Sequence, residues 1–84
     1  MWVLKKDKGM KNLTKREEEV IELLVKWLTN KKIAESLFIS VHTVKATLEN
    51  IYDKLNIHSR ILVGIYYIKQ NPDKFTQLIQ DMEL

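Results

Sequence analysis

The chain has 84 residues, 45% of them hydrophobic and 30% charged, with no cysteine, two glycines, one proline and a formal charge of +3. That length holds one compact domain with or without a tail, and the missing thiols exclude disulfides, thiol catalysis and thiolate-held zinc or clusters. So few Gly and Pro among so many apolar and charged residues predict an all-α chain.

The charge is unevenly spread. Residues 1–11 carry Lys5, Lys6, Lys8 and Lys11 against Asp7, and read as a basic tail or linker. Acids prevail in 12–25, through Glu17, Glu18, Glu19 and Glu22, whereas 26–60 carry six basic residues against Glu35, Glu49 and Asp53. The apolar run 61–68 is too short to cross a bilayer, so no membrane is expected as a partner. Residues 1–4 lack the basic start and long apolar stretch of a signal peptide, and the expected compartment is the cytoplasm.

The first predicted helix opens at Thr14-Lys15-Arg16-Glu17, a capping box, with Leu13 as its staple. Val20, Ile21, Leu23, Leu24 and Leu28 follow at helical spacing. The Glu17–Glu19 run reads as first-turn acids favoured by the helix dipole, rather than as a metal or phosphoryl-acceptor site. Thr29 or Asn30 caps a second helix to about Leu37, with Ile33, Ala34 and Leu37 facing inward. Phe38-Ile39-Ser40 leaves room only for a tight turn, and Ser40 caps a third helix, from Val41 to about Leu55. Two helices so joined make the helix-turn-helix pattern, although its usual turn glycine is absent. A helical hairpin with no nucleic-acid role stays open at this point.

On the third helix Val44, Leu48, Ile51 and Leu55 form the buried stripe. Opposite them lie His42, Lys45, Ala46, Glu49 and Asp53, flanked by Thr43, Thr47, Asn50 and Lys54. A helix entering a major groove needs short or polar outward side chains for base edges, and hydroxyl, amide or Lys groups on its flanks for phosphates. Ser59 caps a fourth helix, from Arg60 to about Gln70, whose apolar residues cover nearly its whole circumference. Two apolar faces call for a second contact, either a homodimer through Leu62, Val63, Tyr66 and Tyr67 or cover from residues 72–84. Asn71 and Pro72 start that last stretch as cap and first-turn proline, and Phe75, Leu78, Ile79 and Met82 make one apolar stripe. His42 and His58 are far apart and lack an acid partner, so no metal or other cofactor is expected.

Four segments carry a family resemblance: Leu13 to Val20; Thr29-Asn30-Lys31-Lys32-Ile33-Ala34-Glu35-Ser36-Leu37; Ile39-Ser40-Val41-His42-Thr43-Val44-Lys45; and Asn50 to Arg60. Together they resemble the LuxR-type (NarL/FixJ/GerE class) DNA-binding domain of bacterial response regulators and quorum-sensing activators. Region 4 of bacterial sigma factors shares the Ile-Ala and Ser-x-x-Thr-Val elements, but the segment from Asn50 to Arg60 looks like the LuxR type.

The resemblance implies a four-helix helix-turn-helix domain over 12–70, here with an extra helical extension over 71–84. It implies sequence-specific binding of double-stranded DNA by a bacterial transcription regulator, not an enzyme. Helix 41–55 would read the major groove and helix 60–70 would form a homodimer, with RNA polymerase as a further expected contact. Lys45, Ala46 and Glu49 fall where family members reach base edges, and His42 stands beside them at the helix start. Thr29, Asn30, Lys31, Thr43, Asn50 and Lys54 fall at or near phosphate positions. Arg60 would serve a structural or a DNA-contacting role. Three residues depart from the pattern: Trp27 replaces a glycine, Thr47 a histidine and Lys32 a glutamate. Thr47 could then offer only a hydroxyl contact, while Lys32 adds positive charge beside the phosphates. Trp27 implies either a remodelled turn or a buried ring.

Overall fold

A computed structural model describes residues 13–82, and these form five helices. They are α1 (Lys15–Leu24), α2 (Asn30–Leu37), α3 (Val41–Leu55), α4 (Arg60–Gln70) and α5 (Pro72–Met82). The expected tail or linker at 1–11 lies outside the described residues.

Each of the first four helices starts on a hydroxyl cap. Thr14 closes the expected box: its amide donates to Glu17 Oε1 at 2.8 Å, and the Glu17 amide donates to its hydroxyl at 3.1 Å. Thr29, rather than Asn30, caps α2 by accepting from the Lys32 amide at 3.2 Å. Ser40 and Ser59 do the same for Thr43 and Leu62. Such caps satisfy amides that have no partner inside the helix, each worth about 1 kcal/mol.

The helix ends are less ordinary. Trp27, Phe38 and Asn56 all stand at positive φ, 64°, 58° and 56°. Asn tolerates that region, whereas for Trp and Phe it costs about 1–2 kcal/mol each. At Phe38 the turn is closed by the Ile39 amide donating to the Ala34 carbonyl at 3.0 Å, a Schellman-like arrangement. The tight helix-turn-helix bend is thus made without glycine.

Val20, Ile21 and Leu24 of α1, Ile33 and Ala34 of α2, Val44, Leu48 and Ile51 of α3, and Val63 and Tyr67 of α4 form one core. Leu13 is buried beside it, as a staple should be. Helix α4 can lie close to α1 because Gly64 faces it, where an added Cβ would sit 3.3 Å from Leu24 Cδ2. Asn71 departs from expectation: its side-chain amide donates back to the Tyr67 carbonyl at 2.9 Å, closing α4 instead of capping α5. Its backbone carbonyl accepts from the Lys74 amide, so α5 still begins at once after Pro72.

Candidate nucleic-acid interface

Helix α3 packs on α2 and α1 through Val44, Leu48 and Ile51, and this orientation turns the other face outward. His42, Thr43, Lys45, Ala46, Glu49 and Asn50 are all exposed there. Lys45 and Glu49 stand one turn apart, and neither joins an ion pair among the described residues. Ala46 between them is small enough for the helix backbone to approach a surface closely. The first turn is stiffened by a 2.9 Å hydrogen bond between the Ser40 and Thr43 hydroxyls.

Thr47 does not join that face. It is buried, and its hydroxyl donates to the Thr43 carbonyl at 2.8 Å, so the group is satisfied within its own helix. The expected phosphate contact from Thr47 is therefore corrected. Lys54 is diverted as well: its ammonium lies 2.8 Å from Glu17 Oε1, the same oxygen that accepts from the Thr14 amide. Burial pushes the Glu17 carboxyl up, but the Lys54 hydrogen bond, the Thr14 amide and the Lys54 charge outweigh it and hold its pKa below the ordinary value. Glu17 and Lys54 thus tie the start of α1 to the end of α3.

At the start of α2, Thr29, Lys31 and Lys32 are exposed, and Asn30 is half-buried. Lys32 reaches Glu35 at 3.9 Å with both side chains largely solvated, too loose a pair to occupy its charge. Arg60 takes the structural option. Its guanidinium donates to Asn30 Oδ1 at 2.6 Å and to the Leu28 carbonyl, which fixes the approach to α2 against the start of α4. The Asn30 amide group remains available as a donor.

The expected dimer residues divide in two. Val63 is 0% exposed and Tyr67 4%, both inside the chain's own core, so neither is a surface contact. The Tyr67 hydroxyl donates to Glu22 Oε2 at 3.1 Å, and Lys74 of α5 approaches the same oxygen at 3.3 Å. Burial first, then the Glu22 charge, push the Tyr67 phenol well above its ordinary pKa. Leu62 is exposed and Tyr66 half-buried, and the outward apolar face is completed by Ile61 and Ile65, which the sequence reading missed. Their signal was present, since both lie opposite Val63 and Tyr67 at helical spacing. Helix α5 packs on α4 but leaves this face uncovered.

A cleft of about 140 Å3 between α1 and α5, lined by Glu22, Lys26, Tyr67, Lys74 and Leu78 among others, involves no residue of α3. Among the described residues no group of His, Cys, Asp or Glu could hold a metal ion, and no helix is long and apolar enough to cross a membrane.

The family model described as bacterial regulatory proteins, luxR family, matches residues 11–66. The nitrate/nitrite response regulator protein homolog of Haemophilus influenzae is 42% identical over 65 residues, which are 77% of this chain and 31% of that protein. The transcriptional regulatory protein LiaR of Bacillus subtilis is 44% identical over 66% of this chain and 26% of its own length. The nitrate/nitrite response regulator protein NarP of Escherichia coli is 43% identical over 69% of this chain and 27% of its own. The chain spans about a third or less of the length of these relatives. No solved structure matches it significantly. The chain belongs to the LuxR family of bacterial regulatory proteins, as a DNA-binding domain for transcription regulation and not as an enzyme.

Proposed function

We propose that this chain recognises a specific duplex sequence by laying α3 in the major groove, and does so as a homodimer. The observation that carries the reading is the outward face of α3, where His42, Lys45, Ala46 and Glu49 are exposed and project from a helix fixed at both ends. Lys45 donates to guanine O6 or N7, Glu49 accepts from cytosine N4, and His42 and Ala46 complete the contact with base edges. Thr29, Asn30, Lys31, Lys32, Thr43 and Asn50 hold phosphates on either side and set the register. Lys54 and Arg60 act one step back, by positioning α3 and the start of α2.

Residues 12–70 form the binding unit in this reading, 71–84 an extension and 1–11 a tail or linker. The dimer contact is the outward face of α4, built from Ile61, Leu62 and Ile65 with Tyr66 at its edge. A family of bacterial regulators supports work in the cytoplasm, with RNA polymerase as the partner that transmits the effect. Relatives described as response regulators support control by a signal received outside this domain.

Selection of bound duplexes from a random pool tests the reading. The expected result is one enriched motif, arranged as two half-sites, with affinity falling linearly in log–log terms as salt rises. Retention of the pool without enrichment of any sequence would overturn specific recognition.

A further inference from the structure

Trp27 is strained and exposed at once. It stands at φ 64°, a backbone region costly for a residue with a bulky side chain, and it is 65% exposed, so burial does not compensate. Among the described residues its indole N–H makes no hydrogen bond. Backbone strain that packing does not explain is most often kept for function.

The ring is carried on a fixed mount. The Trp27 amide donates to the Leu24 carbonyl at 2.9 Å, the next carbonyl accepts from Arg60, and Thr29 then caps α2. Its surroundings are positive. Lys26, Lys31 and Lys32 are exposed, the Arg60 guanidinium lies behind the loop, and no acid occurs from residue 25 to residue 34. The eight-residue helix α2 adds the positive end of its dipole two residues further on. Phe38 shares the left-handed backbone and is 94% exposed, but its ring has no donor and the acidic Glu35 stands three residues before it.

We infer that Trp27 contacts the DNA backbone: its ring rests on a deoxyribose and its Nε1–H donates to a phosphate oxygen, next to the contacts proposed for Thr29 to Lys32. This rests on the proposed binding of duplex DNA and adds a partner for a residue that reading leaves unused. A backbone contact raises affinity for every duplex and leaves sequence preference unchanged.

The test starts from the full chain with Trp2→Phe, in which Trp27 is the one indole. Titration with the selected duplex should change its emission and saturate with binding. Trp27→Gly should raise the Tm, because the strain is relieved, and weaken matched and unmatched duplexes alike by about tenfold, as for one lost hydrogen bond to a charged group. Trp27→Asn, also tolerant of positive φ, removes the ring but keeps an amide donor, and should weaken binding by less. A lower Tm in Trp27→Gly would make the ring structural and overturn the inference. Unchanged affinity in both variants would overturn it too, while specific binding by the parent chain leaves the proposed function standing. If the parent chain binds no duplex at all, both fall together.

Discussion

Lys45 and Thr47 sit two residues apart on one helix and face opposite fates. Lys45 projects from the outward face, so Lys45→Ala should weaken the selected site by about 1–3 kcal/mol, the range for one good base contact, measured by titration at fixed salt. Thr47 is buried and its hydroxyl is spent on the Thr43 carbonyl. Thr47→Val keeps the shape and removes only that local bond, so affinity for the same site should be unchanged. A large loss in the valine variant would return Thr47 to the interface. Periodicity put Thr47 on the same flank as Thr43 and Asn50, but how deep α1 and α2 cover that flank depends on packing that a single helix does not encode.

At the scale of elements, two polar links between distant segments hold the reading helix in place. Glu17 and Lys54 join α1 to α3 across 37 residues of sequence. Since the folded Glu17 pKa is held low, its stabilisation is complete above the ordinary glutamate value, about pH 4.3, and is lost as pH falls through the folded value. Chemical denaturation between pH 3 and 6 should show that slope. Lys54→Met leaves the buried carboxylate only its Thr14 bonds. It should cost about 1–3 kcal/mol at neutral pH and flatten the acid slope. Glu17 could be read as a capping residue from four consecutive positions, because a capping box is local. Its second partner was not legible, since nothing in the sequence near Lys54 distinguishes it from a solvated lysine.

The α4 face is the other element-scale question. A stable protein interface needs about 800 Å2 per partner, and three half-exposed side chains supply only part of that. Isolated chains should therefore be monomeric in sedimentation at micromolar concentration and pair on a two-half-site duplex. Ile65→Asp should leave half-site binding intact and abolish the cooperativity between half-sites. A stable dimer without DNA would show that further surface takes part.

For the whole molecule, the excess of positive charge in 26–60 becomes meaningful only once folded. Lys31, Lys32 and Lys45 are exposed on the α2–α3 unit, whereas the charged groups of Lys54 and Arg60 are engaged by Glu17 and Asn30 and brace it. The sequence by itself determined the helices, their hydroxyl caps, the buried stripe of α3 and the family, because caps, periodicity and short motifs are properties of neighbouring residues. Tertiary structure alone decided which polar groups face out. It turned Thr47, Val63 and Tyr67 inward, assigned Lys54 to Glu17 and Arg60 to the α2 approach, and kept Trp27 strained but exposed. Those outcomes depend on how closely helices far apart in sequence approach one another, and that distance is set by the core they share.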